Sequence, residues 1–231
     1  DMSRTECAPK YDANFHYPVK ELESDRVKLV PFHPELSGRG FYHASAPYPE
    51  IYDWIPFGPF ATADAFLGYV EGRIHHDPAL TLFVVYNKVT DNQDEIAGLI
   101  GFLNTVPANL STEIGFVFTL PPFQRTHVTT HAVGLLLEWC LDELKLRRVQ
   151  WQANANNEKS VQAAQKMGFT LEGIVRWQRV LPPEKRARGV KPREGDPKPE
   201  HYGRHSALLS VCWDDWENGV KGRVRERMAR K

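Results

Sequence analysis

The chain has 231 residues, with 29 basic and 29 acidic side chains and a formal net charge of zero. No global field therefore favours nucleic acid or an anionic membrane, and no apolar run approaches the roughly twenty residues of a membrane span. Three scattered cysteines, Cys7, Cys140 and Cys212, suggest neither a disulfide framework nor a metal pair and fit a reducing cytoplasm.

Residues 1–24 are polar and aperiodic and are expected to form a loose N-terminal arm. Residues 26–32 alternate apolar and polar, the signature of a half-buried strand. Two helical segments should follow, separated by the rigid run Trp54-Ile55-Pro56-Phe57-Gly58-Pro59-Phe60. The second opens at residues 61–64 with Thr62 as N-cap and carries Phe66, Leu67, Val70 and Ile74 at helical spacing. His75-His76 reads as a solvated helix end. Residues 80–86 are rich in β-formers, and Asp91-Asn92-Gln93-Asp94 is a turn cluster. The strand at 95–104 contains Gly98 and Gly101, which signal close backbone approach or a bulge. A further strand at 112–119 completes an antiparallel meander.

From residue 126 to 144 the apolar period becomes helical, so an amphipathic helix lies against the sheet. A strand at 147–153, a helix at 160–167 and a strand at 170–181 follow. Residues 182–205 are rich in proline, glycine and charge and read as a long loop. A last strand spans 206–213, and 217–231 form a basic tail, read as a solvated helix. The expected fold class is α/β (α+β): a mixed, mostly antiparallel central sheet of about seven strands flanked by helices, in one domain over 25–216.

The junction after the strand at 112–119 carries chemistry. Pro121 and Pro122 lack an N–H and end the strand ladder. Gln124, Arg125, Thr126, His127, Val128, Thr129 and Thr130 then present their amides at a helix N-terminus, where unpaired donors and the dipole suit phosphate. Hydroxyls of Thr126, Thr129 and Thr130 add donors, and Arg125 adds a charged fork. The plain alternative is a polar connection that only caps the helix. His127 and His131 are four apart, a spacing that can hold a metal; with no third ligand nearby, no metal is expected.

Downstream, Arg148-Val149 leads to Asn156-Asn157-x-x-Ser160 and then to Lys166-Met167-Gly168-Phe169-x-x-Glu172-Gly173-x-x-Arg176. Together with the phosphate turn, this order resembles the GNAT N-acetyltransferases, particularly the branch of the ribosomal-protein alanine acetyltransferases. The resemblance covers 112–180 well and extends loosely back to Arg26. It implies the acyl-CoA N-acyltransferase fold and acetyl-CoA, or another acyl-CoA, as cosubstrate. The family's turn reads Gln/Arg-x-x-Gly-x-Gly/Ala. Gln124 matches, whereas His127 and Thr129 stand where glycines are expected. Replacing His127 by glycine is therefore expected to open the turn and tighten cofactor binding.

By the same resemblance, the pantetheine arm runs along Phe116, Val117, Phe118 and Thr119, and Asn157 and Ser160 contact its sulfur end. The family's tyrosine acid would fall on Ala164 and is missing, which leaves Ser160 to assist the departing thiolate or to cap its helix. An attacking amine is mostly protonated at neutral pH, so a base is needed. Glu113 is the candidate, with a solvent-facing strand-end carboxylate as the alternative. A main-chain N–H of residues 116–119 would hold the oxyanion.

Trp54, Phe57 and Phe60 could line an acceptor pocket or simply pack a proline-rich loop. The implied activity is transfer of an acetyl group to a small or amino-acid-like amine. A protein N-terminus is the alternative acceptor, and a CoA-binding or sensing protein without turnover is the alternative of another class. The sequence leaves the oligomeric state open, a homodimer included.

Overall fold

The computed structural model describes residues 11–89 and 94–230. The turn expected at 91–94 falls outside them except for Asp94, as do residues 1–10 of the arm. Eight strands form one sheet: β1 (Leu22–Glu23), β2 (Val27–Pro31), β3 (Thr81–Asn87), β4 (Glu95–Val106), β5 (Ser111–Thr119), β6 (Arg148–Asn154), β7 (Thr170–Val180) and β8 (Gly203–Cys212). Their order is β1-β2-β3-β4-β5-β6-β8-β7. The strand beyond the expected seven is β1, two residues that pair Leu22 with Leu29. That is too short for any period-two pattern to announce.

Pairing is antiparallel everywhere except between β5 and β6. A parallel pair needs a crossover, which α3 (Val128–Glu138) supplies, continued by wider turns through Glu143. Helices α1 (Arg39–Ser45) and α2 (Ala63–Val70) cover the front of the sheet. Thr62 caps α2 as its sequence predicts, with Oγ1 accepting from the Ala65 amide at 3.1 Å. Phe41, Phe66 and Val70 pack there against Leu82, Val84, Leu99 and Phe118. On the back, Ala132, Val133 and Leu136 of α3 join Ala164 of α4 (Glu158–Lys166) and Ile114, Val149 and Trp151 of the sheet.

Three segments expected to be loose are docked. Within the arm, Phe15 stacks on Phe102 with centroids 6.0 Å apart, and Asn14 Nδ2 donates to the His75 carbonyl at 2.7 Å. His75 is also bound by Glu71 and by the Asp12 carbonyl, so it clasps the arm and is not a solvated helix end. After β8, α5 (Trp213–Asp215) leads through a kink at Gly219 into α6 (Lys221–Met228). Val220 and Val224 are buried, and α6 lies on α3 where Gly134 leaves room for Met228.

The third segment is the excursion, which ends at residue 202 because β8 already starts at Gly203. Its short helical turn, Pro183–Arg188, folds back onto residues 52–54. Lys185 Nζ donates to the Tyr52 carbonyl at 2.9 Å, Arg188 pairs with Asp53, and the Arg188 guanidinium lies 4.6 Å over Trp54. No helix among the described residues is long and apolar enough to cross a membrane.

Candidate active site

The sheet opens at its one parallel seam. β5 and β6 stay in register only from Ser111↔Arg148 to Ile114↔Trp151. Beyond Ile114, β5 keeps β4 on one side and, among the described residues, has no strand on the other. A bulge falls at the same place: two residues, Phe116 and Val117, lie opposite Ile100 between the pairs Gly101↔Gly115 and Leu99↔Phe118. Phe116 has φ +52, a left-handed backbone that costs a bulky residue about 1–3 kcal/mol. Its ring packs in the front core, 6.3 Å from Phe57. Gly98 and Gly101 on β4 carry no Cβ because the main chains of Phe118 and Thr81 occupy that space.

The bulge shifts the alternation of β5. Ile114 and Val117 join the back core, whereas Phe116 and Phe118 join the front core. Phe118 is buried, so it can meet a ligand in the cleft only through its main chain. A strand with main-chain groups released on one side is a ready acceptor of an extended amide-bearing ligand.

At the end of β5 the chain turns through Pro121–Phe123 into α3. Several expected ligand side chains are tied into the turn itself. Gln124 Nε2 donates to the Thr119 carbonyl at 3.0 Å, and Thr126 Oγ1 donates to the Phe123 carbonyl at 2.7 Å. Thr129 and Thr119 share a hydroxyl bond of 2.8 Å, and Val128 is buried. Arg125 takes φ +64, leaving an exposed side chain at the head of α3.

His127 is held toward β2 and β3, away from the β5–β6 cleft. Arg26 Nη2 donates to Nδ1 at 2.7 Å, so Nε2 carries the proton and donates to Asn87 Oδ1 at 2.9 Å. Burial, the Arg26 charge and His131 all hold the imidazole below its ordinary pKa, in keeping with that neutral tautomer. The ring therefore stands on the β2–β3 side of the turn. A cavity of about 530 Å³ opens here, lined by Arg26, Arg125, Arg227 and Arg230 together with Thr126, His127 and Thr130. The last two arginines come from α6 and the residues after it. Their composition reads as solvated charge, although Val220, Val224 and Met228, four apart, mark a helix face that docks.

Glu113 sits at the base of the cleft on the front face and is 3% exposed. Asn104 Nδ2 and Gln152 Nε2 both donate to its Oε2, at 2.8 and 3.0 Å. Gln178 Nε2 extends the chain by donating to Gln152 Oε1 at 2.8 Å. Burial pushes the Glu113 carboxyl above its ordinary range, against the opposing pull of Asn104, Arg179, Arg204 and Gln152. The solvent-facing alternative is thus excluded by burial.

Ser160 lies on the back side of the cleft. Its Oγ accepts from Trp151 Nε1 at 3.1 Å, which leaves its own proton free to donate. The cap of α4 is Asn157, whose Oδ1 accepts from the Ser160 amide at 3.2 Å. Asn157 therefore has its carbonyl oxygen engaged, and Ser160 lies inside the first turn. The aromatic run divides: Trp54 is under Arg188, whereas Phe57 stacks on Tyr69 at 4.5 Å and Phe60 packs at 5.3 Å from the same ring.

A family model described as acetyltransferase (GNAT) domain matches residues 26–170, more than half of the chain. The chain belongs to the GNAT acetyltransferase family. It is an N-acetyltransferase. No curated protein matches its sequence. Among solved structures, a probable GNAT-family acetyltransferase from Chromobacterium violaceum is 25% identical with a TM-score of 0.74, over 94% of this chain and 98% of that one. A GCN5-related N-acetyltransferase from Brucella melitensis is 24% identical with a TM-score of 0.75, over 91% and 86%. The fold is also that of a spermidine N-acetyltransferase from Vibrio cholerae solved with CoA and spermine, at 16% identity and a TM-score of 0.62, over 84% and 100%.

Against this GNAT background the missing tyrosine has a packing reason. Ala164 is wholly buried in the back core with Met167 and Phe169, so the position faces the interior. The departure at His127 also changes meaning. His127→Gly would release Arg26 and Asn87 and slacken the turn, so CoA affinity should fall by about fivefold, the worth of one net hydrogen bond. Calorimetric titration decides; a gain in affinity would show that the ring obstructs the turn.

Proposed function

We propose that this GNAT enzyme transfers an acetyl group from acetyl-CoA to the primary amine of a small molecule by direct attack. The observation that carries the reading is Glu113: a buried carboxylate with a raised pKa at the base of the β5–β6 cleft. The thioester of acetyl-CoA supplies the electrophile. The residues present fit that molecule: released main chain on β5 suits the pantetheine amides, and the α3 turn with its arginine-lined cavity suits phosphates.

Glu113 accepts the proton that the ammonium must lose before its nitrogen can attack, directly or through a water. A raised carboxyl pKa narrows the gap to the amine's value of about 10.4. Ser160 offers its free O–H on the opposite side, where the sulfur leaves. The excursion docks over residues 52–54 and takes a bond from Asn154 at the end of β6, which supports a small acceptor over a protein N-terminus.

The test is release of free CoA thiol from acetyl-CoA with a panel of amines, followed by peptides with free N-termini. Release with small amines supports the reading. Release with peptides alone moves the acceptor to a protein N-terminus. CoA binding by calorimetry with no release from any acceptor would make the chain a binding protein.

A further inference from the structure

Beside Glu113 the molecule holds more positive charge than its own side chains neutralise. Arg179 of β7 and Arg204 of β8 are direct cross-strand partners, a pairing of like charges that is unfavourable in itself. Among the described residues no carboxylate comes within 4 Å of either guanidinium. Arg204 is 8% exposed, and its buried Nε has no partner among the described residues. Burial first, then Arg179, brings its pKa down to about 10, against the pull of Glu113.

Two more buried polar atoms close by have no partner among the described residues: Ser206 Oγ, two residues along β8, and Gln178 Oε1. Gln178 is one bond from Gln152 and two from Glu113. Buried polar groups are nearly always partnered, and each one left alone costs free energy. Arg179 is exposed whereas Arg204 is buried, so the pair runs inward from the surface toward the cleft.

We infer that the acceptor is an amine that also carries a carboxylate, received by Arg204 with Arg179 at the entrance while its amine faces Glu113. This rests on the reading of Glu113 as the base of acetyl transfer. A zwitterion matches the local order of charges, its ammonium toward Glu113 and its carboxylate toward the arginines. A polyamine does not, because its second cation would meet the two guanidiniums. The acceptor class is therefore amino acids and close relatives.

The experiment uses matched pairs in the thiol-release assay: lysine against cadaverine, phenylalanine against phenethylamine, glycine against glycinamide, with spermidine beside them. At least one amino acid should exceed its carboxylate-free counterpart in kcat/KM by about tenfold to a hundredfold, as a charge-assisted hydrogen bond allows. In Arg204→Gln that ratio should fall toward one, mainly through KM, and in the exposed Arg179→Gln it should fall in part. The ratio is insensitive to partial unfolding, since both substrates see the same folded fraction. Counterparts or spermidine turned over as well as the amino acids, or a ratio unchanged in both variants, would overturn the inference. Thiol release from no amine at all would remove acetyl transfer itself, and the inference with it.

Discussion

Glu113→Gln should lower acetyl transfer by about 10²–10⁴-fold, the usual worth of a positioned general base, while CoA affinity stays near that of the parent. The neutral amide can keep the bonds from Asn104 and Gln152 at one oxygen, so the network need not collapse. In the parent, kcat/KM should rise with pH through an acid limb that lies above the ordinary carboxylate range, because burial raises the Glu113 pKa. The variant should lack that limb. A stability effect of definite sign accompanies it. A carboxyl whose folded pKa is raised contributes stability that is full below its unfolded pKa and lost as pH rises through the folded one. Glu113→Gln should therefore melt higher than the parent near neutral pH and converge with it in acid. Turnover unchanged across the pH range would remove Glu113 from the mechanism, and a lower melting point near pH 7.5 would mark the network as structural.

Much of this site was legible in the sequence because its parts are local. The strand at 112–119, the proline break, the α3 turn and the Asn157–Ser160 step each announce themselves within a few residues. What the sequence hid depends on partners far along the chain. The bulge at Phe116 is a matter of register against Ile100, and nothing in the run Gly115-Phe116-Val117 requires it. His127 reads as a clash in place of glycine until Arg26 and Asn87 draw it aside. Arg204 lies in a segment that composition marks as solvated, yet β8 begins one residue earlier and carries it into the interior. The excursion and the C-terminal tail misled for one shared reason. Abundant charge suggests solvation, but Lys185, Arg188 and α6 each dock through a few specific contacts that a charge count cannot show.

The largest stability effect is expected at Trp216. It is 1% exposed and ranks among the largest fully buried side chains. Its Nε1 donates to Asp142 Oδ1 at 3.0 Å, beside Lys221 Nζ on the same carboxylate. Burial alone would raise the Asp142 pKa, but the bonds from Trp216 and Lys221 outweigh it and hold the carboxyl below its ordinary value. Trp216→Ala removes the indole from the back core and one support from that carboxylate. The expected cost is about 3–5 kcal/mol, a large share of a typical domain's total of about 5–15 kcal/mol. Trp216→Phe keeps most of the apolar volume and should cost less, chiefly the lost hydrogen bond, about 1–3 kcal/mol. Urea unfolding measures both as a lower midpoint at unchanged slope. A functional consequence follows from what Trp216 anchors. It fixes the start of the segment that carries α6 onto α3, and α6 with the residues after it delivers Arg227 and Arg230 to the cavity at the head of that helix. Trp216→Ala should therefore weaken CoA binding under conditions where the fold persists, and the loss should be greatest at low salt, where the arginine charges are least screened. An alanine variant that unfolds within about 1 kcal/mol of the parent would show that the C-terminal segment is not part of the cooperative core. Unchanged CoA affinity in a destabilised variant would separate the arginine cavity from the cofactor's phosphates.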